Sequence, residues 1–162
     1  MSARHHAACG ARMGLLALLL ACAATARAAD ADRFCPPLPA AAHFVWSHYR
    51  GPDFDVCHAL RPGSDSTVFG IYFGWHPSFN PARGTRLDPG VVGGRPVTWF
   101  VGASMRADGA FAQQTLIELT DASHAVAHVW IDAASQEELA ESLRVLAQLS
   151  LESSRPLPRT PP

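Results

Sequence analysis

The stretch from Trp75 to Arg86 holds the side chains best equipped for chemistry. Arg83 and Arg86, three positions apart, form a fork suited to a carboxylate or phosphate, because each guanidinium offers paired donors to a planar anion. His76 supplies a donor or general base near neutral pH. Trp75 and the nearby Tyr72 add aromatic surface. His76 to Pro89 reads as one long loop broken by Pro77, Pro81, Gly84 and Pro89, and long ordered loops are enriched in function. Tyr72, Trp75, His76, Arg83 and Arg86 are therefore the candidate ligand contacts. The plainer alternative is a proline-stiffened loop whose arginines are solvated or pair with Asp88.

The histidines offer a second chemistry. Strand parity puts Phe44, Trp46 and His48 on one face, Val56 and His58 on one face, and Val126, His128 and Trp130 on one face. If those faces coincide, three imidazoles converge. A metal site needs that convergence, as does a His-dependent hydrolase using His76 with His48, His58 or His128. His124 and His128 are four apart, about 13 Å along a strand and too far to share a metal. No carboxylate or cysteine sits at chelating spacing, so no metal ligand or cofactor is assigned.

Nucleophilic chemistry has less support. Gly102-Ala103-Ser104 departs from the Gly-x-Ser-x-Gly elbow. Ser47 and His48 are strand neighbours and point to opposite faces. Asp53, Asp55 and Asp88 follow no pattern of paired catalytic acids. All 13 basic residues are arginine, which excludes a P-loop lysine and a Schiff base. No catalytic residue is assigned, and the reading leans away from an enzyme.

These residues need strands to position them, and the chain supplies strands. Period-two patterns at Phe44–Tyr49 and Phe54–Leu60 are joined through Arg50-Gly51-Pro52-Asp53, and Pro62-Gly63-Ser64-Asp65 makes the next turn. In Val68–Trp75, Phe69, Ile71, Phe73 and Trp75 share one face, and Gly70, Tyr72 and Gly74 the other. Glycines flanking Tyr72 leave room for something to approach the backbone. Val91-Val92, Gly93-Gly94 and Val97–Val101 spell a tight hairpin. Asp108-Gly109 turns between Val97–Met105 and Phe111–Leu119, and Ala125–Ile131 is the last strand. Trp46, Trp75, Trp99 and Trp130 fall in different strands and are assigned mainly to the core; the alternative is an aromatic groove for sugar or peptide.

Ser135 with Glu138 forms a capping box before a helix. Leu139, Leu143, Val145, Leu146 and Leu149 make its apolar stripe, with Glu137, Glu141, Arg144 and Gln148 toward solvent. The implied fold is α+β: an antiparallel meander of five to seven strands, with one C-terminal amphipathic helix packed on one face.

The N-terminus reads as a signal peptide, residues 1–28. Arg4 and Arg12 precede a short apolar run, Met13–Ala24, and Ala26-Arg27-Ala28 suits a signal peptidase. The run of about 12 residues is too short to span a bilayer, so no transmembrane span is expected in the mature chain. Leu19-Leu20-Ala21-Cys22 resembles the box of the lipoprotein peptidase, a competing cut that would make Cys22 a lipid anchor. Residues 29–152 form a single domain, and 153–162 read as a disordered, Pro-rich tail.

Cleavage after Ala28 leaves Cys35 and Cys57 as the thiols, an even pair in an oxidising compartment, which favours a disulfide. Three arginines leave with the leader, so the mature chain carries ten against 14 acidic residues. A net charge of −4 argues against a nucleic-acid partner, which requires a basic footprint. Abundant Ala, Arg and Pro without Lys fit a GC-rich bacterial genome. The expectation is a periplasmic or secreted, non-enzymatic binding or accessory protein. Its partner would be an unidentified small molecule or envelope protein.

Overall fold

The computed structural model of the chain describes residues 33–104, 110–119 and 125–151. The expected leader, Cys22 and the expected tail at 153–162 lie outside the described residues, as do the expected Asp108-Gly109 turn and His124. Among the described residues seven strands and a C-terminal helix follow in order: β1 (Val45–Arg50), β2 (Asp55–Leu60), β3 (Thr67–Gly74), β4 (Arg86–Val92), β5 (Arg95–Val101), β6 (Ala112–Glu118), β7 (Val126–Asp132) and α1 (Gln136–Gln148). The expected α+β architecture is present, with an open antiparallel sheet and the C-terminal helix packed against it.

The spatial order is β1-β2-β3-β7-β6-β5-β4. Two meanders are thus joined side by side, where an unbroken one was expected, and β3 and β7 become the central pair. Ile71 opposes Val129 and Phe73 opposes Ala127, so the apolar face of β3 continues directly into β7. Phe69, Ile71, Phe73, Val129 and Ile131 are fully buried there with Leu146 of α1. Each such side chain contributes about 1.5–3 kcal/mol by leaving water.

This order has a consequence for the long loop. Four antiparallel steps separate β3 from β4, so the two strands run parallel and their link must cross the sheet. The loop is 75–85, shorter than expected, because the strand resumes at Arg86. Pro89 lies inside β4 rather than ending a loop. It is tolerated because β4 is an edge strand, and the pairing shifts register between Arg86 and Pro89.

The helix starts as its sequence signals. Ser135 Oγ accepts from Glu138 N–H at 3.2 Å, while Glu138 reaches back one residue further than a capping box requires, to Ala134 N–H at 2.7 Å. Its last turn is closed from outside: Gly93 N–H donates to Leu146 O at 2.9 Å and Gly94 N–H to Ala147 O at 3.3 Å. The β4–β5 turn therefore satisfies carbonyls that a helix end leaves free. Glu141, expected in solvent, instead meets Arg61 at 2.6 Å. Arg61 also binds Glu138 and lies 4.3 Å from the centre of the Phe44 ring.

The N-terminal arm covers the rest of the helix-side face. Cys35 and Cys57 are disulfide-bonded, with Cα atoms 5.7 Å apart, which pins the arm to β2. Trp46 Nε1–H donates to Pro36 O at 2.7 Å, and Phe34 stacks on His48 at 4.8 Å between ring centres. His48 Nε2 in turn meets Asp55 Oδ1 at 2.9 Å, both side chains nearly sealed from water.

Candidate functional site

Arm and helix share one face of the sheet. The opposite face holds Tyr72 from the sequence-derived contacts, with Arg86 paired to Phe100 at its far edge. Register fixes its members: His58 opposes Gly70, Gly70 opposes Trp130, Tyr72 opposes His128, Trp130 opposes Gln114, and Gln114 opposes Phe100. The room left by glycine beside Tyr72 is filled from within the chain. A Cβ at Gly70 would come within 2.2 Å of Trp130 Cζ2, so the indole lies directly on the β3 backbone. A Cβ at Gly74 would meet the Tyr72 hydroxyl at 2.4 Å, so the phenol folds along its own strand.

The rings form a continuous row. His58 contacts Trp130 edge-on at 5.7 Å, and His128 contacts it at a tilt, also at 5.7 Å. His128 stacks on Phe79 at 5.6 Å, and Phe79 packs on Phe100 at 5.3 Å. Phe79 belongs to the crossing loop, so the loop is held down over β7 and β5 by this aromatic contact. A second run, Tyr49–Phe54–Tyr72, flanks it, with ring centres 5.9 and 5.4 Å apart. Trp130, Tyr72, Phe54 and His58 are half-buried, while Val45 and Tyr49 of edge strand β1 are 46% and 57% exposed on the same face.

The histidines here are uncharged. Burial without a compensating anion pushes His128 down to about 4, and burial lowers His58 in the same sense. The hydrogen bonds assign the His128 tautomer. Gln114 donates its amide N–H to Val101 O at 3.0 Å, which turns its oxygen toward His128. The neutral ring must then donate from Nε2 to Gln114 Oε1, at 3.1 Å.

The five predicted contacts divide into two groups. Tyr72 and His76 belong together: the Tyr72 hydroxyl accepts from His76 N–H at 3.0 Å. Burial raises the Tyr72 phenol, and the charge of Asp53 adds to the rise. The exposed His76 ring approaches Asp53 at 4.0 Å, and Trp75 is half-buried beside it. Arg83 ends a 3-10 turn, Pro81–Arg83, whose start is capped by the Asn80 side chain. Both Arg83 and Arg86 are exposed, and among the described residues neither makes an ion pair. Arg86 is on β4, four strands from Tyr72, which is about 19 Å across the sheet. A ligand touching both must be extended.

The histidines divide too. His58 and His128 flank Trp130, but His48 opposes Cys57 and faces the arm. His76 is at the exposed loop end. Among the described residues no three His, Cys, Asp or Glu side chains are grouped as metal ligation requires. What sequence reasoning missed is the Gly70–Trp130 contact at the centre of the face. The glycine was the signal; the ring that fills its gap comes from a strand 60 positions away.

One concave feature lies on the helix side. A cleft of about 620 Å³ between β4 and α1 is walled by Leu87, Val91, Leu139 and Leu143, with Trp99 beneath. The Trp99 Nε1–H is buried against Gly90 and has no partner among the described residues.

Comparison with protein-family models, with curated proteins and with solved structures finds no match to this chain.

Proposed function

We propose that this chain is a small, exported, non-enzymatic binding module, working in the periplasm or outside the cell on a small molecule or an envelope protein. Its contact surface is the sheet face opposite α1, bordered by the crossing loop with Trp75, His76 and Arg83 and by Arg86 at the start of β4. One observation carries the reading. Arm and helix cover most of one face, leaving the cleft beside β4, whereas the other presents half-exposed rings around Trp130 and Tyr72, and a monomer gains nothing by leaving such rings at its surface. The Cys35–Cys57 bond agrees with an oxidising compartment, and no helix among the described residues is long and apolar enough to cross a membrane. Export itself rests on the leader, Met1 to Ala28.

The reading is tested with a thermal-shift panel of glycans, amino acids, peptides and fatty acids on the purified, oxidised protein. A ligand that binds only the folded state raises Tm by mass action. At least one class is expected to do so, and a Tyr72→Ala/Trp130→Ala double variant or an Arg83→Ala/Arg86→Ala double variant to lose the effect. A flat panel, or a shift unchanged in both variants, removes this surface as the site. Intact mass of the exported chain tests the anchor: a start at Ala29 matches soluble export, and diacylglycerol on Cys22 a lipoprotein.

A further inference from the structure

We infer that the Trp130 platform takes an uncharged saccharide, stacked by its C–H face on the indole. This rests on the binding reading above and adds the class of ligand. The indole lies over Gly70 in the middle of the sheet and contacts both His58 and His128, so packing holds it against the β3 backbone. A rigid ring with a negative π face and a part-exposed surface is what the polarised C–H groups of a pyranose pack against. Little side-chain entropy is lost on binding, because packing has already fixed the ring.

The surrounding groups define the ligand's charge. Register places Val56, His58, Gly70, Tyr72, His128, Gln114, Leu116 and Phe100 around the platform, and none carries a formal charge at neutral pH. His58 and Gln114 provide neutral hydrogen-bonding atoms at its edges, and Ser47 opposes His58 on the same face of β1. The exposed arginines are at the border, Arg83 in the crossing loop and Arg86 on β4, three strands from Trp130, so a charged group stacked on the platform itself has no counter-ion beside it and is disfavoured by desolvation. An extended peptide is disfavoured for another reason. β3 and β7 are the two central strands, so their backbone groups are already used within the sheet, and a peptide's N–H and C=O groups would go unmatched. Sugar hydroxyls can stay in water while the C–H face is buried.

The test uses 15N-labelled, oxidised wild-type protein and follows the indole N–H resonances, which report on each tryptophan separately. The probes are maltohexaose, cellohexaose, an oligogalacturonate of similar length and a proline-rich decapeptide. A neutral hexasaccharide is expected to shift the Trp130 resonance in a saturable way. Trp46, bonded to Pro36, and buried Trp99 should stay still. Trp130→Ala should weaken binding at least tenfold, and Trp130→Tyr should restore part of it. Three results overturn the inference: no response of Trp130 to either neutral sugar, an equal response to the oligogalacturonate, or a response to the peptide alone. If the peptide alone shifts Trp130, the binding reading survives without the saccharide; if no compound here or in the thermal panel perturbs this face, both fall.

Discussion

Trp130 rests on Gly70 so closely that one added methyl carbon at residue 70 would overlap its ring. The two residues face each other across the central β3–β7 pair, where neither strand can move aside without disturbing the sheet. Gly70→Ala should therefore displace the indole and cost about 1–3 kcal/mol, the usual penalty for overpacking. In a Trp130→Ala background the same substitution should be nearly neutral. Urea unfolding of the four proteins in a double-mutant cycle measures the coupling, and additive effects would show that the contact carries no energy.

The disulfide should supply a large part of the stability. Cys35 and Cys57 are 22 positions apart, and closing a loop of that size is worth about 3 kcal/mol. Opening it also frees the arm, which holds Trp46 through Pro36 and covers His48 with Phe34. A Cys35→Ala/Cys57→Ala variant should be less stable by about that amount in urea unfolding, with a lower midpoint, and reductant should lower the wild type alike. A midpoint insensitive to reductant would sever the arm from the fold's stability.

Acid should weaken the protein in two separate windows. His128 takes its proton near 6.5 when unfolded and only at about 4 when folded. The unfolded chain thus binds more protons between those values, so stability is full above 6.5 and drains away as pH falls toward 4, by about 3 kcal/mol. His58 adds loss of the same sign. Glu141 acts lower: Arg61 holds its carboxyl below the ordinary 4.5, so its contribution is present above that pH and fades beneath it. The measurement is urea midpoint against pH for wild type and His128→Gln, with the variant's curve expected to be flatter between 6.5 and 5.

The two glycines of the β4–β5 turn should respond unequally. Both have positive φ, 58° at Gly93 and 73° at Gly94, a conformation costing non-glycine residues about 1–2 kcal/mol. A side chain at Gly94 meets open space, whereas one at Gly93 crowds Leu151 at 3.1 Å and Leu149 O at 3.3 Å. Asn tolerates the left-handed region, so Gly94→Asn should be mild and Gly93→Asn clearly destabilising. Thermal melts of the two variants decide it, and equal losses would leave only backbone strain as the cause.

Local pattern alone determined the elements that depend on neighbours in the chain. Period-two spacing marked the strands, positive-φ glycines marked the Gly93–Gly94 turn, and Ser135 with Glu138 marked the start of α1, since each is decided within a few residues. The two faces of β3 were equally legible, because side chains alternate by geometry. The cysteines left after the expected cleavage, Cys35 and Cys57, pointed to one bridge, which the fold contains.

Strand order was not legible, and the site depends on it. Nothing local says that β3 pairs with β7 rather than β4, because that choice is made by two apolar faces matching over long separations. The pairing brings Trp130 over Gly70 and sends the loop across the sheet. It also splits the contiguous stretch Tyr72–Arg86 into two groups, while the β1–β2 register, with His48 opposite Cys57, turns His48 away from His58. Parity tells which residues of one strand share a side, but only tertiary packing tells which strands share a neighbour, because that depends on the apolar area each arrangement removes from water.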